Sequence, residues 1–98
     1  KTRDDNPTRY VEGAKVSNSM IADGCIIQGT VENSILFRGV HVEKGAVVRN
    51  CVLMQDTVVE VNANVEYLVT DKDVLISAGK KLSGSDTFPV YVAEAHTV

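Results

Sequence analysis

Residues 33–49 (NSILFRGVHVEKGAVVR) can be laid over residues 50–66 (NCVLMQDTVVEVNANVE), and the chain matches itself. Six of the 17 positions are identical: Asn33/Asn50, Leu36/Leu53, Val42/Val59, Glu43/Glu60, Ala46/Ala63 and Val48/Val65. Most others exchange like for like, as Ile35 for Val52, Phe37 for Met54 and Gly45 for Asn62. A fixed period in a short chain means one structural unit stacked on itself. The period extends outward: Val31, Val48, Val65 and Leu82 lie 17 apart, as do Val42, Val59 and Ile76, and Ile35, Val52 and Val69. Backward, Asn18-Ser19 matches Asn33-Ser34 at a spacing of 15, so the first coil is two residues short. About four coils result, over residues 16–31, 32–48, 49–65 and 66–82.

Each coil carries three bend signals. One falls at Asn18, Asn33 and Asn50, a second at Gly24, Gly39, Asp56 and Asp73, and a third at Gly45, Asn62 and Gly79. Gly, Asn and Asp tolerate positive φ and dominate turns. Gly24, Gly29, Gly39 and Gly45 are read as corner glycines that need no phosphate to explain them. Between the bends run segments such as Val40-His41-Val42, Thr57-Val58-Val59 and Val74-Leu75-Ile76, too short for helices and suited to short strands. Three strands and three corners make a triangular coil, and successive coils pair as parallel strands about 4.8 Å apart. Val42, Val59 and Ile76 then form an internal aliphatic ladder, with Ala46 and Ala63 a small-residue ladder where the prism narrows.

Units such as IADGCI, VEKGAV and VEVNAN resemble the hexapeptide repeat of left-handed parallel β-helices. The resemblance implies an all-β fold: one left-handed parallel β-helix of about four coils, with a C-terminal capping strand. The handedness comes from the resemblance, since the general crossover rule favours the right hand. The expected organisation is a linker over residues 1–15, the β-helix over 16–82, and a capping strand and tail over 83–98. Phe88-Pro89-Val90-Tyr91-Val92 is read as a last strand whose aromatics fold over the lower coil. The first coil has no such cap, and strand edges left open invite association, so it is expected to be covered by another domain or subunit. Lys1 is not a start methionine, and the chain is read as a piece of something larger.

The chemistry-bearing residues do not form a motif. A net charge of −3 gives no reason to expect nucleic acid or an anionic membrane as partner, and no stretch has the length of a membrane span or the pattern of a signal peptide. Cys25 and Cys51 fall out of register with each other and read as buried or half-buried thiols of a reducing compartment. His41 shares its repeat position with Val58 and Leu75 and should point outward; as a lone surface histidine it is a weak candidate base. His96, three residues from the end of the sequence, is expected to be mobile. Glu43 with Glu60, and Asp56 with Asp73, stack at corners; aligned acids could bind a cation, but they are read as solvated turn residues. Arg38 and Lys72 stack with Gln55 between them, a column suited to a phosphate-bearing effector or an acidic partner but read as a solvated face. No GxGxxG, P-loop or GxSxG occurs. No catalytic, cofactor-binding or metal-ligating residue is assigned.

The run VSNSMIADGCIIQGTVENSILFRGVHVEKGAVVRNCVLMQDTVV (residues 16–59) resembles the C-terminal β-helix of bacterial glucose-1-phosphate adenylyltransferase. TDKDVLISAGKKLSGSDTFPV (residues 70–90) is similar to the GlgD-type subunit of that family, with Thr70 a small departure. The resemblance implies an upstream nucleotidyltransferase domain that binds ATP, glucose 1-phosphate and Mg²⁺, and a non-catalytic β-helix serving assembly and allosteric control in glycogen synthesis. It also implies a GlgC-type catalytic partner subunit and an oligomer, in the cytoplasm. The competing reading is a trimeric hexapeptide acyltransferase using acyl-CoA, and a third is a free-standing interaction scaffold. Such enzymes usually add a protruding loop and a junction histidine; no coil shows an insertion, and His41 is the one plausible base.

Overall fold

The computed structural model describes residues 7–98. Among these, fifteen strands of two or three residues follow one another with no helix between them. They sort into three parallel five-stranded sheets, one per side of a triangular solenoid. The first face holds Arg9–Tyr10, Ile26–Ile27, His41–Val42, Val58–Val59 and Leu75–Ile76. The second holds Lys15–Ser17, Thr30–Glu32, Val47–Arg49, Asn64–Glu66 and Lys81–Ser83. The third holds Met20–Ile21, Ile35–Leu36, Val52–Leu53, Leu68–Thr70 and Val90–Val92. This all-β, parallel architecture of about four turns is that of a left-handed hexapeptide β-helix.

The register is the one the repeat specifies. Ile27 pairs with Val42, Val42 with Val59 and Val59 with Ile76, and the four are at most 1% exposed. Val31, Val48 and Val65 form a second fully buried column, and Ala46 and Ala63 a third. Alternation along each strand drives these columns: residues two apart share a face, so in these three columns each inward apolar residue stacks on its own kind.

All ten bend residues named from the sequence lie at positive φ, between 46° and 77°. Two further corners carry residues with no turn preference. Tyr67 (φ 54°) follows Asn50 in the asparagine column, and Ala95 (φ 61°) follows Asp73 in the Gly/Asp column. Their amides bond the carbonyls of the coil above, Tyr67 to Arg49 at 3.1 Å and Ala95 to Lys72 at 3.1 Å. Stacking on a formed coil overrides the local bias of these two residues.

The missing two residues of the short coil are at the corner between the first and second faces. Where one coil has Glu43-Lys44-Gly45-Ala46 between Val42 and Val47, the coil before it has only Gln28-Gly29 between Ile27 and Thr30. Gly29 is required there for space. A Cβ would lie 2.8 Å from the Glu43 carbonyl oxygen and closer still to that of Ala46.

Both ends differ from the sequence expectation. Residues 1–6 of the expected linker lie outside the described residues. Its remainder already contains a rung: Arg9–Tyr10 pairs with Ile26–Ile27, and Lys15 opens the first strand of the second face. The solenoid therefore starts before residue 16. At the other end, Val90–Val92 does form a last strand, paired in parallel with Leu68–Thr70. The tail continues as part of a fifth turn: Thr97 bridges to Leu75, and Ser77 N–H donates to the Val98 carbonyl at 2.8 Å. His96 is tied down, its carbonyl accepting from Leu75 N–H at 3.0 Å. The aromatics do not fold over the core. Tyr91 is 63% exposed, because Val90 and Val92 take the inward positions and alternation sends it outward; Phe88, 82% exposed, lies before the strand in the segment that joins Ser83 to Val90. This last turn also carries an insertion, contrary to the sequence expectation: six residues, 84–89, stand where Tyr67 alone stands one coil earlier, so Leu68 and Val90 pair at a spacing of 22.

Candidate functional site

The residues with chemical potential are dispersed over the prism. His41 sits outward on the first face, half-buried between Ile26 and Val58, in a shallow groove with Gln28, Glu43, Lys44 and Val61. His96 lies in the last turn, its Nδ1 3.2 Å from the Glu94 carbonyl oxygen. Nothing in the described structure brings the two histidines into one constellation.

Two of the four corner acids, Glu60 and Asp56, serve the fold. Glu60 accepts from the Ala78 backbone N–H at 3.1 Å. The Asp56 carboxylate covers Gly39 one coil earlier, in space a side chain there would fill. The Arg38–Gln55–Lys72 column exists as the register requires, but its lower cation has a partner, Lys72 Nζ lying 3.9 Å from Glu94 Oε2. Arg49 Nε donates to Glu32 Oε1 at 3.1 Å on the second face. Among the described residues no group of three or more His, Cys, Asp or Glu is placed to hold a metal ion.

The thiols are structural. Ser19 Oγ donates to the Ser17 carbonyl at 2.8 Å and Ser34 Oγ to that of Glu32 at 2.8 Å; Cys51 Sγ takes the same position one coil on, donating to Arg49 at 3.1 Å. Cys51 thus continues a serine ladder. Burial pushes its thiol up to about 11, and burial likewise raises Cys25, whose Sγ donates to the Phe37 carbonyl at 3.2 Å. Neither supplies a thiolate nucleophile at neutral pH.

What stands out instead is apolar surface that the inward ladders do not absorb. On the third face the outward column runs Met20, Ile35, Val52, Val69 and Tyr91, beside Phe37 and Met54. Met20 is 70% exposed and Ile35 41%. The strands of this face contain no charged residue; Asp71, just past Leu68–Thr70, accepts from Tyr91 Oη at 3.2 Å. The second face contrasts with it, presenting Lys15, Glu32, Arg49, Glu66 and Lys81. Charge depletion with retained aromatics and Met is the composition of an interface core, whereas interspersed charge marks solvated surface. Sequence periodicity did contain this signal, in the 17-residue spacing of Ile35, Val52 and Val69, but period alone does not say which column faces in.

Residues 5–87 match the family described as "GlmU-like, C-terminal hexapeptide". The chain is 41% identical over 90 residues to the "Glycogen biosynthesis protein GlgD" of Bacillus subtilis (strain 168), covering 92% of this chain and 26% of that protein. It is 58% identical over 48 residues to the protein of the same name from Geobacillus stearothermophilus, covering 49% of this chain and 14% of that protein. To the "Glucose-1-phosphate adenylyltransferase" of Corynebacterium jeikeium (strain K411) it is 43% identical over 75 residues, covering 76% of this chain and 18% of that protein. The chain thus spans about a quarter or less of the length of these curated relatives.

Proposed function

The chain belongs to the GlmU-like C-terminal hexapeptide family, and we propose that it is the assembly and regulatory β-helix of a glucose-1-phosphate adenylyltransferase-type subunit, itself without a catalytic group. Two relatives bear the name "Glycogen biosynthesis protein GlgD", which supports a setting in glycogen biosynthesis. On this reading ATP, Mg²⁺ and glucose 1-phosphate bind upstream, in a nucleotidyltransferase domain, and the subunit works beside a GlgC-type catalytic partner. Two buried free thiols suit a reducing compartment, so the setting is the cytoplasm.

The observation that carries the reading is the division of labour between faces. A rigid stack presents one uncharged apolar sheet beside one heavily charged sheet, while its histidines and acids are scattered or engaged in the fold. Such a body is suited to docking and to transmitting position, not to bond making.

The test is co-expression of the full polypeptide with a catalytic adenylyltransferase subunit. Co-purification in a defined ratio, with ADP-glucose formation whose effector response changes when the β-helix is deleted, is the expected result. Failure to assemble, or acyl-CoA-dependent acyl transfer that disappears in His41→Ala, would overturn it.

A further inference from the structure

The short corner of the second coil leaves a hydrogen-bond donor unmet. Asn62 N–H donates to the Lys44 carbonyl at 3.1 Å and Gly79 N–H to that of Val61 at 2.9 Å, each reaching one coil back along the same corner column. Gly45 belongs to that column, and its φ of 76° sits with their 61° and 73°. The coil before it has only Gln28-Gly29 between Ile27 and Thr30, so the carbonyl that Gly45 N–H would meet does not exist. Among the described residues Gly45 N–H has no acceptor. The corners on either side are full length: Ala14 N–H closes one on the Val11 carbonyl at 2.9 Å, and Ala46 N–H the other on that of Glu43 at 3.0 Å. The short corner is therefore a recess between two complete ones.

Beside this recess runs the first-face groove, about 270 Å³, lined by Ile26, Gln28, His41, Glu43, Lys44 and Val61. The repeat supplies its own comparison. One coil on, the equivalent acid is used by the fold, Glu60 accepting from Ala78 N–H at 3.1 Å, and Val61 and Ala78 follow Lys44 in its column, so no cation stands there. Glu43 and Lys44, by contrast, have no ion-pair partner among the described residues. We propose that recess and groove together bind a small zwitterion, a free α-amino acid with a short apolar side chain. The ligand carboxylate takes the Gly45 N–H and the Lys44 ammonium, its own ammonium faces the Glu43 carboxylate, and its side chain lies over Ile26 and Val61.

Charge decides the class of ligand. Glu43 and Lys44 are adjacent, opposite and unpaired, and Gln28 beside them is neutral, so the groove balances a molecule that carries both signs. A bare anion would meet Glu43 in the groove and Glu12 on the full corner above, and a bare cation would meet Lys44, in each case a like charge at close range. A sugar would leave both charges uncompensated and would find no aromatic ring in the lining to stack on. The volume falls below the roughly 300–1,000 Å³ of sites for drug-sized ligands, so the occupant is small. Exposed charge pairs are weak, and the affinity is on the order of millimolar.

The test is NMR titration of the full polypeptide with L-alanine, read at the Gly45 amide. Labelling with ¹³C-lysine and ¹⁵N-glycine picks out Lys-Gly amides, and this chain has one, Lys44-Gly45. The expected result is a saturable shift of that amide at millimolar L-alanine. Affinity should be at least tenfold weaker in Glu43→Gln and in Lys44→Met, with the melting temperatures of both variants unchanged. Acetate and methylamine each carry one of the two charges and should move the amide less than a tenth as far at equal concentration. No shift with L-alanine, or the same affinity in both variants as in the native chain, would overturn the proposal. So would acetate or inorganic phosphate acting as strongly as L-alanine, which would make the recess a plain anion site, or glucose doing so, which would make it a sugar site.

Discussion

Inside the prism the hydroxyls of Thr57 and Thr70 meet at 3.0 Å, both residues fully buried. Thr57 occupies the column of Val40 and Val74, and Thr70 that of Leu36 and Leu53, so two polar replacements in different columns converge on one spot. Their hydrogen bonds close without remainder. Thr57 Oγ1 donates to the Asp71 carbonyl at 3.3 Å and accepts from Thr70, whose oxygen accepts from Met54 N–H at 3.2 Å. Thr57→Val leaves the Thr70 hydroxyl without an acceptor and should cost about 1–3 kcal/mol. Adding Thr70→Leu should recover most of that, because Met54 N–H can then bond the backbone carbonyl as Phe37 does with Leu53 one coil earlier. A double-mutant cycle by chemical denaturation measures the coupling; strict additivity would show that the two threonines do not act as a pair.

The inward register makes a sharper demand at the adjacent strand. Val59 is 0% exposed between Val42 and Ile76, whereas Val58 beside it points outward. Val59→Asp buries a carboxylate with no partner and should cost more than ~4 kcal/mol, enough to abolish the cooperative melt. Val58→Asp should shift the midpoint by only a few degrees. Circular dichroism melts of the two variants decide the register, and equal effects would reject it.

Local turn chemistry made the corners and the inward columns legible in advance, because Gly, Asn and Asp recur where φ turns positive and aliphatic residues recur between them. Tyr67 and Ala95 were not legible, since neither has a turn preference and both are held by bonds from the coil above. The start of the solenoid was hidden for a similar reason: Pro7-Thr8-Arg9-Tyr10 looks polar, yet Arg9–Tyr10 needs only an existing edge to pair with. Phe88 and Tyr91 were misplaced because aromatic content suggested burial, while alternation with Val90 and Val92 sends Tyr91 out. The apolar third face was hidden because an outward aliphatic column has the same 17-residue period as an inward one.

Two glycines separate steric from conformational demand. Gly29→Ala drives a methyl into the carbonyl oxygen of Glu43, 2.8 Å from the ideal Cβ, and into that of Ala46. Both are backbone atoms of the next coil, so the expected loss is above ~2 kcal/mol. Gly79 has open space around it but φ +73°, so Gly79→Ala should cost only about 1 kcal/mol of left-handed strain. Gly79→Asn should be nearer neutral, since Asn62 holds the equivalent corner at φ 61°. Denaturant midpoints at constant m-value give the ranking Gly29→Ala, Gly79→Ala, Gly79→Asn; any inversion would mean that the corner relaxes in a way the stack does not suggest.

Alkaline pH tests the buried thiol. The Cys51 thiol is raised by burial from 9.0 to about 11, so folding favours its protonated form. The sign follows: below pH 9 the thiol is protonated in both states and the contribution is fully present. Between 9 and 11 the unfolded chain loses its proton first, and stability falls, by roughly 2–3 kcal/mol in all. Serine already fills the same column at Ser19 and Ser34, with the same bond to the carbonyl two residues back, so Cys51→Ser should fold normally at pH 7. It should also flatten the part of the decline between pH 9 and 11 that is due to Cys51, leaving what Cys25 and Tyr91 contribute, both raised as well, by burial and by the hydrogen bond to Asp71 respectively. Denaturation at pH 7, 9 and 10.5 for both proteins is the measurement. An identical pH slope with and without Cys51 would show that its thiolate is solvated in the folded stack, and that the serine ladder at this corner is open to water.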